Sequence, residues 1–168
     1  MSKCPYTNFR KKVMGWINIL RTPTKEYSNY PPCPFVGPEV DRNKLMIELF
    51  DPEKNSLLDM MNKFVNSEYD SALFIQKTDE LLLSKDTYKY QNFINRLLKK
   101  SGFEKYKCIC FNPNDITEVD GLNIRSKSPY FLINVADRKV LSKAHKSLLR
   151  TKYFDNMGDK YKKYLKVK

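Results

Sequence analysis

The sequence contains little of what most catalytic and metal-binding motifs require. It has one histidine, His145, and five glycines among 168 residues. No glycine-rich phosphate loop, no histidine-glutamate zinc pattern and no serine elbow between a strand and a helix is present. Four cysteines occur, at positions 4, 33, 108 and 110, without the paired spacing of zinc ribbons. These absences exclude the familiar catalytic templates; they predict no metal site and identify no cofactor.

Long apolar runs are also absent. No run approaches the roughly 18 residues that a membrane-spanning helix needs, and the N-terminus lacks the segments of a signal peptide. We therefore expect no membrane span and a cytoplasmic protein. The length fits one domain, 1–168. Hydrophobic residues make up 41% of the chain, which is enough for a core and excludes wholesale disorder.

Arginine is scarce, because 24 of the 31 basic residues are lysine, yet the net charge is +12. Residues 1–25 contribute +6 and residues 137–168 contribute +8, while the residues between them sum to −2. Basic ends predict an acidic partner such as RNA or DNA. The alternative is solvated helix faces in a lysine-rich composition, since proteins that read bases rely on arginine. The C-terminal candidates for such a partner are Lys160, Lys162, Lys163 and Lys166.

Apolar spacing and helix breakers predict an α+β fold. We expect a basic amphipathic helix at 8–20, a proline-rich loop at 22–43 and an α/β core at 44–113, where short apolar strands alternate with amphipathic helices. Such alternation is typical of βαβ units, in which a small sheet is packed with helices. A polar loop is expected at 114–127, followed by a helix-rich C-terminal region at 128–166.

The core should contain three strands and two helices, and one more helix should end the chain. The strands are expected at 44–50, 71–76 and 106–111. The core helices are expected at 56–65 and 86–101, and the last helix at 154–165.

Residues 128–144 permit two interpretations. Residues 130–136 have the propensity of a strand. Ser128 and Pro129, however, match a helix cap followed by the first helical residue, and the apolar residues that follow fit a 3.6-residue period. We therefore favour a helix in this segment.

The cysteines are candidates for chemistry. Cys108 and Cys110 lie two apart on a predicted strand, so their side chains should face the same way and be buried. Cys33 differs, because prolines at 31, 32 and 34 could hold its thiol at the rim of a pocket. A catalytic role for Cys33 needs a cation or a helix N-terminus nearby, which would stabilise the thiolate.

Polar residues in the later loops are candidates for binding a small anionic ligand near Cys33. A helix start at Ser128 would favour an anion, since backbone N–H groups are free at helix N-termini. These loops flank core elements that could share one edge of the sheet, so we expect them to converge on Cys33. The candidates are Asn112, Asn123, Arg125, Lys127, Ser128 and Tyr130.

Several short motifs resemble one protein family. The sequence Cys-Pro-Phe-Val at 33–36 follows an amphipathic helix, and the stretches 86–93, 110–113 and 123–130 come after it in a fixed order, with a weaker match at 156–158. Together they resemble domain of unknown function 1415, a family of small bacterial and algal proteins. The resemblance implies an α/β or α+β fold and a pocket built from these motifs, with no established activity.

The chain departs from that family at two positions where the family pattern has histidine. Here these positions are Asn112 and Asn134. Asparagine donates and accepts hydrogen bonds but does not titrate, so any metal ligand or base that those histidines supply is missing. The resemblance adds Phe35 and Asn134 to the candidate ligand-binding residues.

Three functional interpretations remain open from the sequence. The first is a pocket for a small anionic ligand near Cys33, in a binding protein or an enzyme. The second is a basic nucleic-acid-associated or assembly subunit that uses the charged ends. The third is a thiol redox protein that uses Cys33.

Overall fold

A four-stranded mixed sheet with helices packed on it forms the centre of this α+β structure. The computed structural model describes residues 5–76, 84–114, 118–119, 122–123 and 128–155. The helices are α1 (Pro5–Arg21), α2 (Val36–Asp41), α3 (Leu57–Val65), α4 (Ser84–Lys100) and α5 (Arg138–Leu148), with 3-10 turns at Lys25–Tyr27 and Lys152–Phe154. The strands are β1 (Leu45–Phe50), β2 (Ser71–Gln76), β3 (Tyr106–Phe111), β4 (Glu118–Val119), β5 (Leu122–Asn123) and β6 (Leu132–Asp137). No helix in the described part of the chain is long and apolar enough to cross a membrane.

The strand order of the main sheet is β1-β2-β6-β3. β1 and β2 are parallel and are joined through α3, which confirms the predicted βαβ unit. β6 lies between β2 and β3 and is antiparallel to both. β4 and β5 form a separate two-stranded hairpin.

One face of the sheet packs against α3 and α4. Met46, Phe74 and Ile133 point into this layer and meet Phe64 of α3 and Leu98 of α4. The N-terminus of α3 is stabilised by a capping box. Its cap residue, Ser56, accepts a hydrogen bond from the backbone N–H of Asp59 and donates its own N–H to that carboxylate. Such a cap stabilises a helix by about 1 kcal/mol.

The opposite face of the sheet packs against α1. Apolar residues of α1 recur every three or four positions and lie in one cluster with Ile47, Leu73 and Leu132 of the sheet. Full burial of each such side chain contributes about 1.5–3 kcal/mol. Helix α1 contains the segment predicted as a helix at 8–20, and it covers this face of the sheet. The buried residues of α1 are Val13, Trp16, Ile17 and Leu20.

The outer edge of β3 is covered by side chains of α4. Asn95 accepts a hydrogen bond from the backbone N–H of Cys108 at 2.9 Å and donates one to its carbonyl at 3.0 Å. Gln91 accepts a hydrogen bond from the N–H of Cys110 at 3.0 Å. An edge strand otherwise leaves such groups free to pair with another chain. Two amide side chains thus satisfy part of this edge internally.

The strands predicted at 71–76 and 106–111 have those bounds in the structure, but the helix predicted across 128–144 is wrong. β6 occupies its first half, and α5 begins only at Arg138. Because β6 is covered on both faces, four of its six residues are buried, and its apolar residues do not alternate with polar ones. A sequence without this alternation does not distinguish a buried strand from a helix.

Two predicted loops contain regular structure. The segment 22–43 holds the short helix α2, whose third residue, Pro38, is tolerated in the first turn because the N–H there needs no helical partner. The segment 114–127 holds the hairpin of β4 and β5. Of the helix predicted at 154–165, only residues 154–155 lie within the described part of the chain.

Candidate functional site

Helix α5 carries the most concentrated charge among the described helices. It begins directly after β6, where Asp137 caps it by accepting a hydrogen bond from the backbone N–H of Lys139 at 2.7 Å. Leu141, Ala144 and Leu148 recur on one side of the helix and are less exposed than the residues opposite them, and Leu148 is buried. This pattern turns the polar side of α5 to solvent.

The exposed side of α5 forms what we call the α5 basic face. Its five cations and two serines, Ser142 and Ser147, line an open groove of about 660 Å³. No acidic residue occurs between positions 138 and 150. The cations of the α5 basic face are Arg138, Lys139, Lys143, Lys146 and Arg150.

The spacing of these cations places them on one line. Lys139, Lys143 and Lys146 are separated by four and three residues, which places them on one side of α5, and Arg150 continues this spacing in the turn after the helix. At 1.5 Å per residue, they extend over roughly 16 Å. Within the described part of the chain, none of the cations of the α5 basic face forms a salt bridge. No carboxylate of the described residues therefore neutralises this face.

The basic residues of α1 lie elsewhere. Lys12 places its Nζ 5.8 Å from the ring centroid of Tyr130, which also packs on Phe9 at a centroid distance of 4.7 Å. Tyr130 precedes β6, whereas Arg138 directly follows it. Since a six-residue strand is roughly 20 Å long, Lys12 and the start of α5 lie at opposite ends of β6. The C-terminal candidates Lys160, Lys162, Lys163 and Lys166 lie outside the described residues.

Cys33 lies on the α1 side of the sheet. Its backbone N–H donates to the carbonyl of Leu20 at 2.8 Å, and its side chain packs with the cluster under α1. Burial raises the pKa of the Cys33 thiol, although hydrogen bonds from the backbone of Val36 and Phe35 oppose that shift and Glu39 adds to it. Burial thus keeps the thiol protonated at neutral pH, the opposite of what a nucleophile needs.

Asn112 lies on the other side of the sheet. Its Nδ2 donates to the hydroxyl of Thr87 in α4 at 3.0 Å, and its Oδ1 accepts from the N–H of Asn114 at 3.0 Å. Ser128 donates its hydroxyl to the carbonyl of Tyr130 at 2.7 Å. Asn112, Thr87 and Ser128 are buried. Asn112 therefore has a structural role at the end of β3, on the face of the sheet opposite Cys33.

The remaining candidates are also dispersed. Phe35 precedes α2 and packs with Tyr153 and Phe154 near the end of α5. Asn134 lies in the middle of β6 and donates a hydrogen bond to the carbonyl of Ala72 at 3.3 Å. Arg125 and Lys127 lie outside the described residues, as does the side chain of Asn123. The structure therefore brings Ser128 and Tyr130 together, but it separates Cys33 from Asn112.

Cys108 and Cys110 have the positions that their spacing predicts. Both side chains are fully buried on the same face of β3, with 3.6 Å between their sulfur atoms. The hydrogen bond with Cys110 and burial raise the pKa of the Cys108 thiol. The two buried side chains contribute to the packing of the core.

The α5 basic face was not among the residues selected from the sequence. The prediction took its cationic candidates from the lysine-rich stretch at 159–168, because both ends of the chain are basic. The signal that identifies this face is the spacing of Lys139, Lys143, Lys146 and Arg150 without an acid between them. That signal becomes decisive only when the start of α5 is known.

Comparisons with family models, with curated proteins and with solved structures found no match for this chain. The resemblance to domain of unknown function 1415 therefore stays a prediction from short motifs, and the functional argument depends on the residues themselves.

Proposed function

We propose that this protein binds nucleic acid through contacts between the α5 basic face and the phosphate backbone. The observation that carries the proposal is a line of four cations that form no salt bridge with any described residue, flanked by Arg138 and two serines, along one open groove. Cations neutralise phosphates and release the counterions condensed on nucleic acid, which supplies most of the affinity of such contacts. Serine hydroxyls are common additional donors to phosphate oxygens.

The shape of this face supports an extended polyanion rather than a small anion. A site for one small ligand is usually an enclosed pocket with converging polar groups, whereas these cations lie in a row of roughly 16 Å along a groove that is open to solvent. The basis for a small-anion site at Ser128 is also weaker, because Ser128 and Pro129 do not begin a helix. The geometry therefore favours a partner with repeated phosphates.

The composition of the face supports binding without sequence preference. Three of its five cations are lysines, which act as point charges, and the two arginines lie at its ends. Bidentate readout of base edges generally uses arginine, asparagine or glutamine. We therefore place the contacts on phosphate and not on base edges.

A charge-matched pair of variants tests this function. The first removes two cations from the middle of the face (Lys143→Gln with Lys146→Gln). The second removes two cations that form salt bridges near β1 and α3 (Lys54→Gln with Lys63→Gln). Both variants lower the net charge by two, so only the position of the charge differs.

The readout is the affinity for a fluorescently labelled, unstructured RNA at about 0.1 M salt. We expect the α5 variant to bind roughly ten- to 30-fold more weakly, from the counterions that two lost contacts no longer release. The Lys54 and Lys63 variant should stay within about twofold of the parent. Equal losses in both variants would show that only the overall charge matters and would overturn the proposal.

A further inference from the structure

Helix α4 presents a second line of side chains with the same spacing as α5. We call it the α4 stripe; its members are Lys89, Phe93, Arg96 and Lys100. These positions are separated by four, three and four residues, as are the cations from Lys139 to Arg150, and all four are exposed. A side of helix that is exposed at every position and mostly cationic is a surface for a partner or for solvent.

Phe93 distinguishes the α4 stripe from an ordinary solvated surface. Its side chain is 54% exposed, compared with 38% for Tyr69 and 6% for Trp16. Lys89 lies one turn before it and Arg96 one turn after it. An exposed aromatic ring between two cations is the combination with which proteins hold unpaired bases, since the ring stacks on a base while the cations meet the phosphates on either side.

The α4 stripe ends beside the start of the α5 basic face. The backbone N–H of Arg138 donates to the carbonyl of Lys105 at 2.9 Å, and its guanidinium Nε donates to the carbonyl of Glu104 at 2.9 Å. Both carbonyls belong to the turn that leads from α4 into β3. Residues 89–105 carry five cations and one acid. The basic surface therefore continues from α4 across this turn to α5.

We propose that the nucleic acid is single-stranded, with a base stacked on Phe93 and the strand continuing over the α4–β3 turn onto the α5 basic face. This inference rests on the proposed function and names the ligand class. A duplex keeps its bases stacked inside, so a ring on a convex helix cannot reach their faces. Stacking on an aromatic ring also tolerates any base, which agrees with binding that has no sequence preference.

The test compares Phe93→Ala with Ile19→Ala and with Phe93→Trp. Ile19 is a matched control, because it is 61% exposed on α1 and has no cation one turn before or after it. The probes are oligouridylate, oligodeoxythymidylate, an abasic phosphodiester strand and a duplex, each about 12 nucleotides long, which is within the site size of single-strand binding proteins.

We expect Phe93→Ala to weaken binding to the strands that carry bases by roughly five- to 100-fold. Binding to the abasic strand and to the duplex should change by less than about twofold, because phosphate contacts remain. Phe93→Trp should restore binding. A loss on oligouridylate, on oligodeoxythymidylate or on both supports the inference, and the strand affected identifies the ligand as RNA, DNA or either.

Equal affinities of Phe93→Ala and Ile19→Ala for every probe would overturn the inference. A different result would contradict the proposed function itself: the variant without Lys143 and Lys146 would bind every probe as tightly as the parent does. A protein that loses binding to all probes without these lysines, but is insensitive at Phe93, binds phosphate without stacking.

Discussion

At the scale of single residues, Asn95 has the most demanding structural role. Its amide completes both backbone hydrogen bonds of Cys108 on the open edge of the sheet, and it also donates to the carbonyl of Gln91 at 2.9 Å. Among side chains of this length, only asparagine donates two hydrogen bonds and accepts a third, because aspartic acid in its protonated form has a single donor. The sequence shows Asn95 only as one polar residue of an amphipathic helix.

Replacement of Asn95 by alanine should therefore destabilise the protein. Two backbone groups of β3 lose their partners, and we expect the free energy of unfolding to fall by about 2 kcal/mol or more. Asn92→Ala on the same helix is the matched control, because Asn92 is exposed, and it should change stability by less than about 0.5 kcal/mol. Urea denaturation measures both. Equal effects of the two substitutions would contradict the role assigned to Asn95.

A second residue-scale prediction concerns Glu39. Burial raises the pKa of its carboxyl, while the hydrogen bond from the Ser71 hydroxyl opposes that shift; the charge of Asp70 also raises this pKa, and that of Arg42 lowers it. A carboxyl with a raised pKa binds more protons in the folded state than in the unfolded state. Its contribution to stability is complete below the unfolded pKa and is lost as the pH rises through the folded pKa.

The substitution Glu39→Gln removes this titration and keeps an oxygen that accepts from Ser71. Between about pH 4 and pH 7, the stability of the parent should therefore fall relative to that of Glu39→Gln. Urea denaturation of both proteins across this range provides the comparison. A difference that stays constant with pH, or that changes in favour of the parent, would contradict the assignment.

At the scale of elements, α5 depends on its N-terminal cap. Asp137 caps the helix and also forms a salt bridge with Lys105 at 3.2 Å. Burial raises its pKa, but the hydrogen bonds from the N–H of Lys139 and from the Lys105 ammonium outweigh burial and hold the pKa of Asp137 below its usual range. The carboxylate is therefore charged at neutral pH and complements the positive end of the helix dipole.

Loss of this cap should loosen the helix that carries the proposed binding face. We expect Asp137→Ala to lower the free energy of unfolding by about 0.5–2 kcal/mol and to speed hydrogen exchange in α5. Asp41→Ala, which breaks an exposed salt bridge with Arg21, should cost less than about 1 kcal/mol and leave exchange in α5 unchanged. Normal exchange in α5 after loss of Asp137 would show that packing alone holds the helix.

The elements also show which parts of the fold could be predicted from the sequence. Helix α3 and strands β2 and β3 could be predicted, because their periods and their flanking cap or breaker residues are local signals. The assignment of residues 132–137 to a strand could not be predicted, because β6 pairs with two strands, β2 and β3, that are distant in the sequence. Because this segment was assigned to a helix, the predicted helix start lies at Ser128, ten residues before the observed start at Arg138. The expected anion site was misplaced with it.

At the scale of the whole molecule, the net charge of +12 is not a uniform property. Its uneven distribution along the chain could be read from the sequence, but its arrangement in space could not. Lys12 and Arg138 lie at opposite ends of strand β6. The turn between α4 and β3, in contrast, hydrogen-bonds to Arg138 at the start of α5, although α4 and α5 are distant in sequence. The continuation of the basic surface from α5 to α4 depends on this second adjacency, which the sequence does not show.

The salt dependence of binding tests the central claim most directly. The affinity for a single-stranded RNA should fall linearly with salt on logarithmic axes, with a slope that counts neutralised phosphates. Loss of Lys143 and Lys146 should reduce the magnitude of that slope by about 1.4, at about 0.7 per contact, whereas loss of Lys54 and Lys63 should leave it unchanged. Equal slopes for the parent and the Lys143 and Lys146 variant would contradict a phosphate-binding α5 face.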